Sequence, residues 1–405
     1  MEKTKKVKAH DKVFWLLIQF AAIYILGNIG TGSLSTWDEA VYANVSGNIV
    51  ETGDWLIMHE GGKPWFDKPP LYMWCTAFFY NIFGINEFSV RLTSGLFGVA
   101  IVLLVYIFAK KIGNINTAIL AALILLASPH YLHFAKMGML DVAVTFFITL
   151  MIYLFWMGQD RPSYLFWSGI VLLFAYLTKG FAAILGPAII FLYCLFSGNL
   201  KLLINRKFVF GISISLLMIV VWHLAQYASG GTGAIDGYFG FHLLRRTMTS
   251  LDGHTGGLNF YQKVIFNKNK PWGVVFYGSM MYMLWLIIKD KDKRAILVVL
   301  WVAVVFTVYS VVRTKLHWYI MPLYPALAIA SAIALEKFFR KKAFYFILSI
   351  ILLGMLIQIP VSWAFKLDYN AKAKAAALRG EKLPYKDNGS IFYYDTIRIG
   401  ERRSI

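Results

Sequence analysis

Charge is scarce in this sequence. Only 15% of its 405 residues are Asp, Glu, Lys or Arg, against about 25% in an average soluble domain. With 59% of positions apolar and a mean hydropathy of +0.60, there is more hydrophobic surface than a water-soluble core could hide. Cysteine is nearly missing too. Cys75 and Cys194 are the only two, so neither a disulfide framework nor cysteine-based metal spacing is expected. Acids number 21 against 40 Lys and Arg, a formal net charge of +19. Such an excess can mark a nucleic-acid surface, but here the cations sit in short clusters between apolar runs. That is the pattern of membrane topology, and no nucleic-acid partner is expected. No internal repeat is evident, which counts against a secondary transporter built from repeated halves.

What is abundant is hydrophobic runs. A helix needs about 20 residues to cross the hydrocarbon core. Runs of that kind begin near Val13, Leu92, Thr117, Val142, Tyr164, Phe181, Phe208, Trp272, Ala295, Tyr319 and Phe344. The reading is an all-α membrane protein with about eleven transmembrane helices. Lys3, Lys5, Lys6 and Lys8 ahead of Val13 look like the start of a signal peptide; with so many spans behind it, this run is expected to stay as an uncleaved first helix. With the N-terminus in the cytoplasm, the clusters at Lys110 and Lys111, Arg161, Lys201 with Arg206 and Lys207, 289–294 and 337–342 all fall on the cytoplasmic side, as the positive-inside rule asks.

Residues 1–366 then form one transmembrane domain with two long outer loops, 31–91 and 226–270, followed by a short polar outer tail, 367–405. The loops hold too many aromatics for disorder, so juxtamembrane helices on the outer surface are expected. In the tail, 371–378 reads as a helix and 390–394 as a strand.

The first loop opens with Ser35-Thr36-Trp37-Asp38-Glu39-Ala40-Val41-Tyr42. Thr36 and Glu39 have the spacing of a capping box, and Asp38 suits the positive end of a helix dipole. Val41, Val45 and Ile49 make an apolar stripe for the membrane surface, and Gly53 ends the helix. Trp37 and Trp55 fit as interfacial anchors. A second reading uses the same residues for chemistry: a carboxylate at Asp38, partly shielded from water, suits a general base. Spacing does not separate the two, and they are compatible.

More ionisable residues gather at the same outer face. They are Asp67 and Lys68 in Phe66-Asp67-Lys68-Pro69-Pro70, His130, His133 and Lys136 ahead of Asp141, Lys179 between two apolar runs, and Lys315 with Tyr319 in the run Thr314 to Pro322. Such groups are costly near a membrane and tend to line functional cavities. Snorkelling explains a single Lys, not acids and cations converging on one side. His130 and His133 are read as interfacial rather than liganding.

At these residues the sequence resembles glycosyltransferase family 39 of the GT-C superfamily, which includes bacterial aminoarabinose transferases and protein O-mannosyltransferases. The resemblance rests on Asp38-Glu39-Ala40-Val41-Tyr42-Ala43 with Gly53-Asp54-Trp55 and Phe66-Asp67-Lys68-Pro69, on Leu140-Asp141 with Leu177-Thr178-Lys179-Gly180, and on Lys315-Leu316 with 319–322. It implies a GT-C type bundle that transfers a sugar from a polyprenyl-phosphate donor to a lipid, glycan or protein acceptor at the outer face of a bacterial inner membrane. By position, Asp38 matches the family's catalytic aspartate, Glu39 completes the acidic pair, and Asp141 matches a second acid of the same cavity. Lys68, Lys179 and Tyr319, with Tyr42 of the Asp-Glu helix, match positions that approach the donor phosphate.

The chemistry agrees with that implication. Fixed cations stabilise a phosphate leaving group, a carboxylate assists an oxocarbenium-like carbon, and a single displacement inverts the anomeric centre. Asp67 and His254 stand where aminoarabinose transferases have a metal pair, with Arg245 and Arg246 upstream. A divalent metal is the one cofactor this suggests, on two ligands where a structural zinc takes four. The chain departs from the pattern at Val41, where those transferases tend to have Arg, and in its short tail, where many relatives have a folded outer domain. Acceptor choice stays open. The competing class, a transporter or flippase for lipid-linked glycans, should hold its ionisable groups near the bilayer midplane, whereas these gather at one face.

Overall fold

A computed structural model of the chain describes residues 2–34, 38–236, 238, 256–338, 349–355, 383–387 and 390–394. Its helices are α1 (Glu2–Leu26), α2 (Asp38–Thr52), α3 (Leu71–Phe83), α4 (Glu87–Ile112), α5 (Ile115–Leu126), α6 (Pro129–Ala135), α7 (Leu140–Gly158) and α8 (Ser163–Lys179). There follow α9 (Leu185–Phe196), α10 (Arg206–Gly230), α11 (Thr232–Ile235), α12 (Phe260–Asn267), α13 (Trp272–Asp290), α14 (Lys293–Val311) and α15 (Tyr324–Phe338). Also described are 3-10 turns at Gly180–Ile184, Leu200–Leu202 and His317–Leu323, and two antiparallel ribbons, His59–Glu60 with Lys63–Pro64 and Leu383–Asp387 with Ser390–Tyr394. The second contains the strand expected in the tail; the helix expected at 371–378 lies outside the described residues.

Local signals set the helix starts. Asn86, Asn114, Asn205 and Asp292 accept hydrogen bonds from free backbone N–H groups at the heads of α4, α5, α10 and α14, the usual remedy for unpaired donors there. Lys110 and Lys111 occupy the last turn of α4, where the helix dipole favours cations.

Seven helical segments among the described residues are long and apolar enough to cross a membrane, or eight if α5 and α6, bent by 70°, count as one span. The bend falls where Pro129, without an amide proton, opens α6. The Ala127 carbonyl exposed by the break accepts from Trp272 Nε1 at 2.9 Å, as backbone at membrane depth requires. The longest apolar segment, 163–196, folds back on itself. Along α8, Leu165 packs on Gly158, Ser168 Oγ donates to the Met151 carbonyl at 2.8 Å, and Lys179 reaches Asp141. Along α9 the order reverses: Gly186 faces Met151, and Tyr193 packs on Trp156 and donates to Gln159 at 3.1 Å. The chain therefore turns at Gly180, whose φ of +55° is costly for any residue with a Cβ. Most of the span expected from Phe344 lies outside the described residues.

One expectation about α2 is corrected. Val45 and Ile49 do not face the membrane surface; they are buried against Met58, Trp65, Tyr72 and Met73. Helix α3 and the first ribbon cover that stripe, because periodicity specifies a buried face without naming its neighbour. Lipid-type exposure is found instead on α10, at Leu216, Leu217, Val220, Val221 and Leu224.

Candidate active site

One arginine organises the approach to Asp38. Arg91, a turn into α4, is 5% exposed. Its guanidinium donates to the carbonyls of Ile29, Thr31, Gly32 and Ser33 at 2.8–3.0 Å, fixing the strand of chain that leads into α2. Its Nε donates to Glu39 Oε1 at 2.8 Å, and the Gly138 N–H donates to the same oxygen at 2.8 Å. A carboxylate 1% exposed thus ties α2 to α4 and to the segment entering α7. Beside it, Ser94 Oγ bonds both the N–H and the carbonyl of Met139 at 2.9 Å, and lies 2.7 Å from the Tyr72 hydroxyl. The heads of α2 and α7, which carry Asp38 and Asp141, are therefore held in one frame.

Asp141 is buried, and its Oδ1 accepts from Lys179 Nζ. Its Oδ2 is buried with no hydrogen-bond partner among the described residues. Lys179 Nζ lies 4.6 Å from the centroid of the Tyr319 ring, and the Tyr309 ring stands 5.3 Å behind Tyr319. Half-buried Asp38 and buried Lys68 are both close enough to act on the charge of Asp141. Lys68 Nζ donates to the Asp67 carbonyl at 3.2 Å, and the Tyr238 hydroxyl donates to the Lys68 carbonyl at 3.3 Å. The structure thus brings Asp38, Lys68, Asp141, Lys179 and Tyr319 to one end of the bundle. Two acids and two ammonium groups partly withdrawn from water can bind an anion and move a proton.

Other expected residues are placed differently. Tyr42 is buried, its ring packed against Trp65 and Tyr72 with centroids 6.5 and 5.9 Å away. Lys315 is buried at the end of α14, donating to the carbonyls of Tyr309, Ser310 and Val312 at 3.0, 2.5 and 2.5 Å; its charge meets the negative end of that helix. His130 is not interfacial. It is buried, with Nδ1 2.6 Å from the Tyr324 hydroxyl and Nε2 3.3 Å from His317 Nδ1, because the bend before α6 turns it inward.

A metal finds limited support in the side chains. Burial first, and then the neighbouring charge of Asp67, push the Glu60 carboxyl above the usual glutamate range, so these two acids are close. Among the described residues no three His, Cys, Asp or Glu side chains converge on a metal-sized site. His254, Arg245 and Arg246 lie outside the described residues. Sequence reasoning missed Arg91 and Tyr309. Arg91 had a signal, an arginine at the head of an apolar run; Tyr309 is one more aromatic in such a run and had none.

The chain is similar to several known proteins. The family of dolichyl-phosphate-mannose-protein mannosyltransferases matches residues 67–224. An uncharacterised protein of Aquifex aeolicus (strain VF5) is 31% identical over 347 residues, 84% of this chain and 78% of that protein. The undecaprenyl phosphate-α-4-amino-4-deoxy-L-arabinose arabinosyl transferase 2 of Pseudomonas fluorescens is 29% identical over 336 residues, 79% of this chain and 55% of the transferase. The crystal structure of ArnT from Cupriavidus metallidurans bound to undecaprenyl phosphate superposes with a TM-score of 0.70 at 22% identity, over 92% of this chain and 64% of that one. The chain thus spans well under the full length of both the arabinosyl transferase and the ArnT chain. The shared fold, the matched family and the relative covered over most of its length identify this integral membrane protein as a member of the GT39-like branch of the GT-C glycosyltransferase superfamily.

Proposed function

We propose that the chain is a membrane glycosyltransferase that moves a sugar from a polyprenyl-phosphate donor to an acceptor hydroxyl or phosphate, with inversion at the anomeric carbon. The observation that carries this reading is Lys179, held between Asp141 and Tyr319, with Asp38 and Lys68 near enough to act on the charge of the same carboxylate. The donor class is supported by the undecaprenyl phosphate in the ArnT structure and by the name of the arabinosyl transferase relative.

In this reading Asp38 takes the acceptor proton while the acceptor oxygen bonds to the anomeric carbon. The bond from that carbon to the phosphate oxygen breaks, and its electron pair leaves on the phosphate. Lys68 and Lys179 neutralise the charge that collects there. Asp141 keeps Lys179 in place and sets a negative charge near the electron-poor carbon. Glu39 acts through Arg91 and Gly138 as a positioning residue. Residues 1–366 make up the catalytic domain. The N-terminus is cytoplasmic and the site opens on the outer face of the bacterial inner membrane. Labelling of Thr52→Cys from outside and Lys291→Cys from inside, in a chain lacking Cys75 and Cys194, tests that orientation, and the reverse pattern refutes it.

The deciding experiment is transfer from radiolabelled polyprenyl-phosphate sugars by the purified protein in detergent, with Asp38→Asn as control. Turnover to an acceptor that depends on Asp38 is expected. Donor binding without turnover, across a wide panel of acceptors, would refute the enzymatic reading.

A further inference from the structure

The end of the bundle opposite the site carries a groove that none of this chemistry uses. It has a volume of about 610 Å³ and is lined by Ser163, Phe166, Trp167, Arg206, Lys207 and Phe210. Its walls follow from the packing of α8 on α10, which both start at this end and run side by side. Gly169 meets Gly211, Ser215 Oγ donates to the Gly169 carbonyl at 2.8 Å, and Tyr176 pairs with His223 at 2.7 Å further along. The two backbones touch so closely that a Cβ on Gly211 would stand 2.3 Å from the Phe166 carbonyl oxygen. The aromatic side chains at this end are turned outward. Phe166 stacks on Phe210 with centroids 5.9 Å apart, and Trp167 packs edge-on to Phe166 at 5.2 Å. Trp167 and Phe210 stay 55% and 61% exposed.

The rim has a different character. Ser163, Arg206 and Lys207 are exposed, and the side chains of Arg206 and Lys207 have no hydrogen bond or ion pair among the described residues. The nearest acid along the chain before α8, Asp160, is already paired with Lys111 at 2.8 Å. Helix stability does not account for the two cations. They occupy the first turn of α10, at the positive end of its dipole, with no acid in that turn. The positive-inside rule accounts for cations somewhere in this loop, not for an aromatic slot beneath two of them. A slot of aromatic rings capped by a guanidinium, an ammonium and a hydroxyl complements an amphiphile with an acyl chain and an anionic phosphate. A zwitterionic headgroup would bring its own ammonium to a rim with no lining carboxylate to receive it.

We propose that this groove binds one anionic diacyl phospholipid from the leaflet opposite the active site. Its phosphate sits between Arg206 and Lys207 and accepts from Ser163 Oγ, and an acyl chain lies along Phe166, Trp167 and Phe210. Each cation at an acidic lipid surface is worth roughly a fivefold gain in affinity, so the pair contributes about thirtyfold. The assignment does not depend on the transferase reading, since it uses none of the same residues.

Native mass spectrometry of the full chain, released from detergent and titrated with phosphatidylglycerol or phosphatidylethanolamine, tests it. The wild type is expected to retain one phosphatidylglycerol in preference to phosphatidylethanolamine. Arg206→Gln/Lys207→Gln should bind phosphatidylglycerol about thirtyfold more weakly. Ser163→Phe, which blocks the mouth and keeps both cations, should also lose it. Equal retention of the two lipids by the wild type overturns the proposal, as does wild-type retention in a folded variant. Retention of undecaprenyl phosphate in preference to phosphatidylglycerol by the wild type, lost in Ser163→Phe, would assign the groove to the carrier lipid instead. If the double variant does not fold, Trp167→Ala/Phe210→Ala on the exposed wall replaces it, with the same expected loss.

Discussion

Lys179 donates to the buried carboxylate of Asp141 and at the same time lies 4.6 Å from the face of Tyr319. Two charges taken out of water are each expensive, and each makes the other tolerable. The ring adds a cation–π contact that holds the ammonium to one side. Asp141 keeps its second oxygen buried and without a hydrogen-bond partner among the described residues.

Removing one member of this pair should cost more than removing both. Lys179→Met leaves Asp141 buried without its cation and should lower stability by about 3–5 kcal/mol. Lys179→Met/Asp141→Leu should recover most of that loss while remaining inactive. Unfolding in mixed detergent, monitored by circular dichroism, measures both; equal losses in the single and double variants would contradict the coupling.

Neighbouring acids should separate in the same way. Asp38 is half-buried at the head of α2, so Asp38→Asn should keep the melting temperature and lose turnover by at least about a hundredfold. Glu39→Gln leaves Arg91 without its counter-charge and weakens the hold on Gly138. It should cost about 3 kcal/mol of stability as well as turnover. An unchanged melting temperature in Glu39→Gln would remove its positioning role.

These contrasts show what could be read in the chain beforehand. Alternating apolar runs place Asp141, Lys179 and Tyr319 at one face, and the structure brings them together there. Gly53 ends α2 as its backbone freedom suggests, with φ at +72°. The partner of the Val45 and Ile49 stripe was not legible, since a period of 3.6 residues is the same against lipid or protein. The inward turn of His130 was hidden because hydropathy does not encode the 70° bend before α6. Arg91 was passed over because a cation near the end of a span ordinarily reports topology; its carbonyl partners come from residues about sixty positions earlier.

Lys68 offers a test of anion binding that leaves the carboxylates intact. Lys68→Ala should weaken the affinity for undecaprenyl phosphate by about tenfold to a hundredfold, the range for losing a charge-assisted hydrogen bond. Tyr238→Phe removes only the contact to the Lys68 carbonyl and should cost about threefold, within the range of a neutral hydrogen bond. Isothermal titration of the detergent-purified variants gives both numbers. An unchanged affinity in Lys68→Ala would take this residue out of phosphate binding.

Glu60 gives the 31–91 loop a pH dependence whose sign can be worked out. Burial, and then the charge of Asp67, raise its pKa in the folded chain above the ordinary value of 4.5. Between the unfolded and folded values the native state holds a proton that the unfolded state has released. The stabilising contribution is therefore full below about pH 4.5 and is lost as pH rises through the folded value. Glu60→Gln should remove this component of the melting curve, and Asp67→Asn should move it toward acid by lifting the neighbouring negative charge. Melting temperatures of the three proteins between about pH 4 and 7 decide it. A component that stays in place in Asp67→Asn would mean that burial alone sets the proton affinity of Glu60.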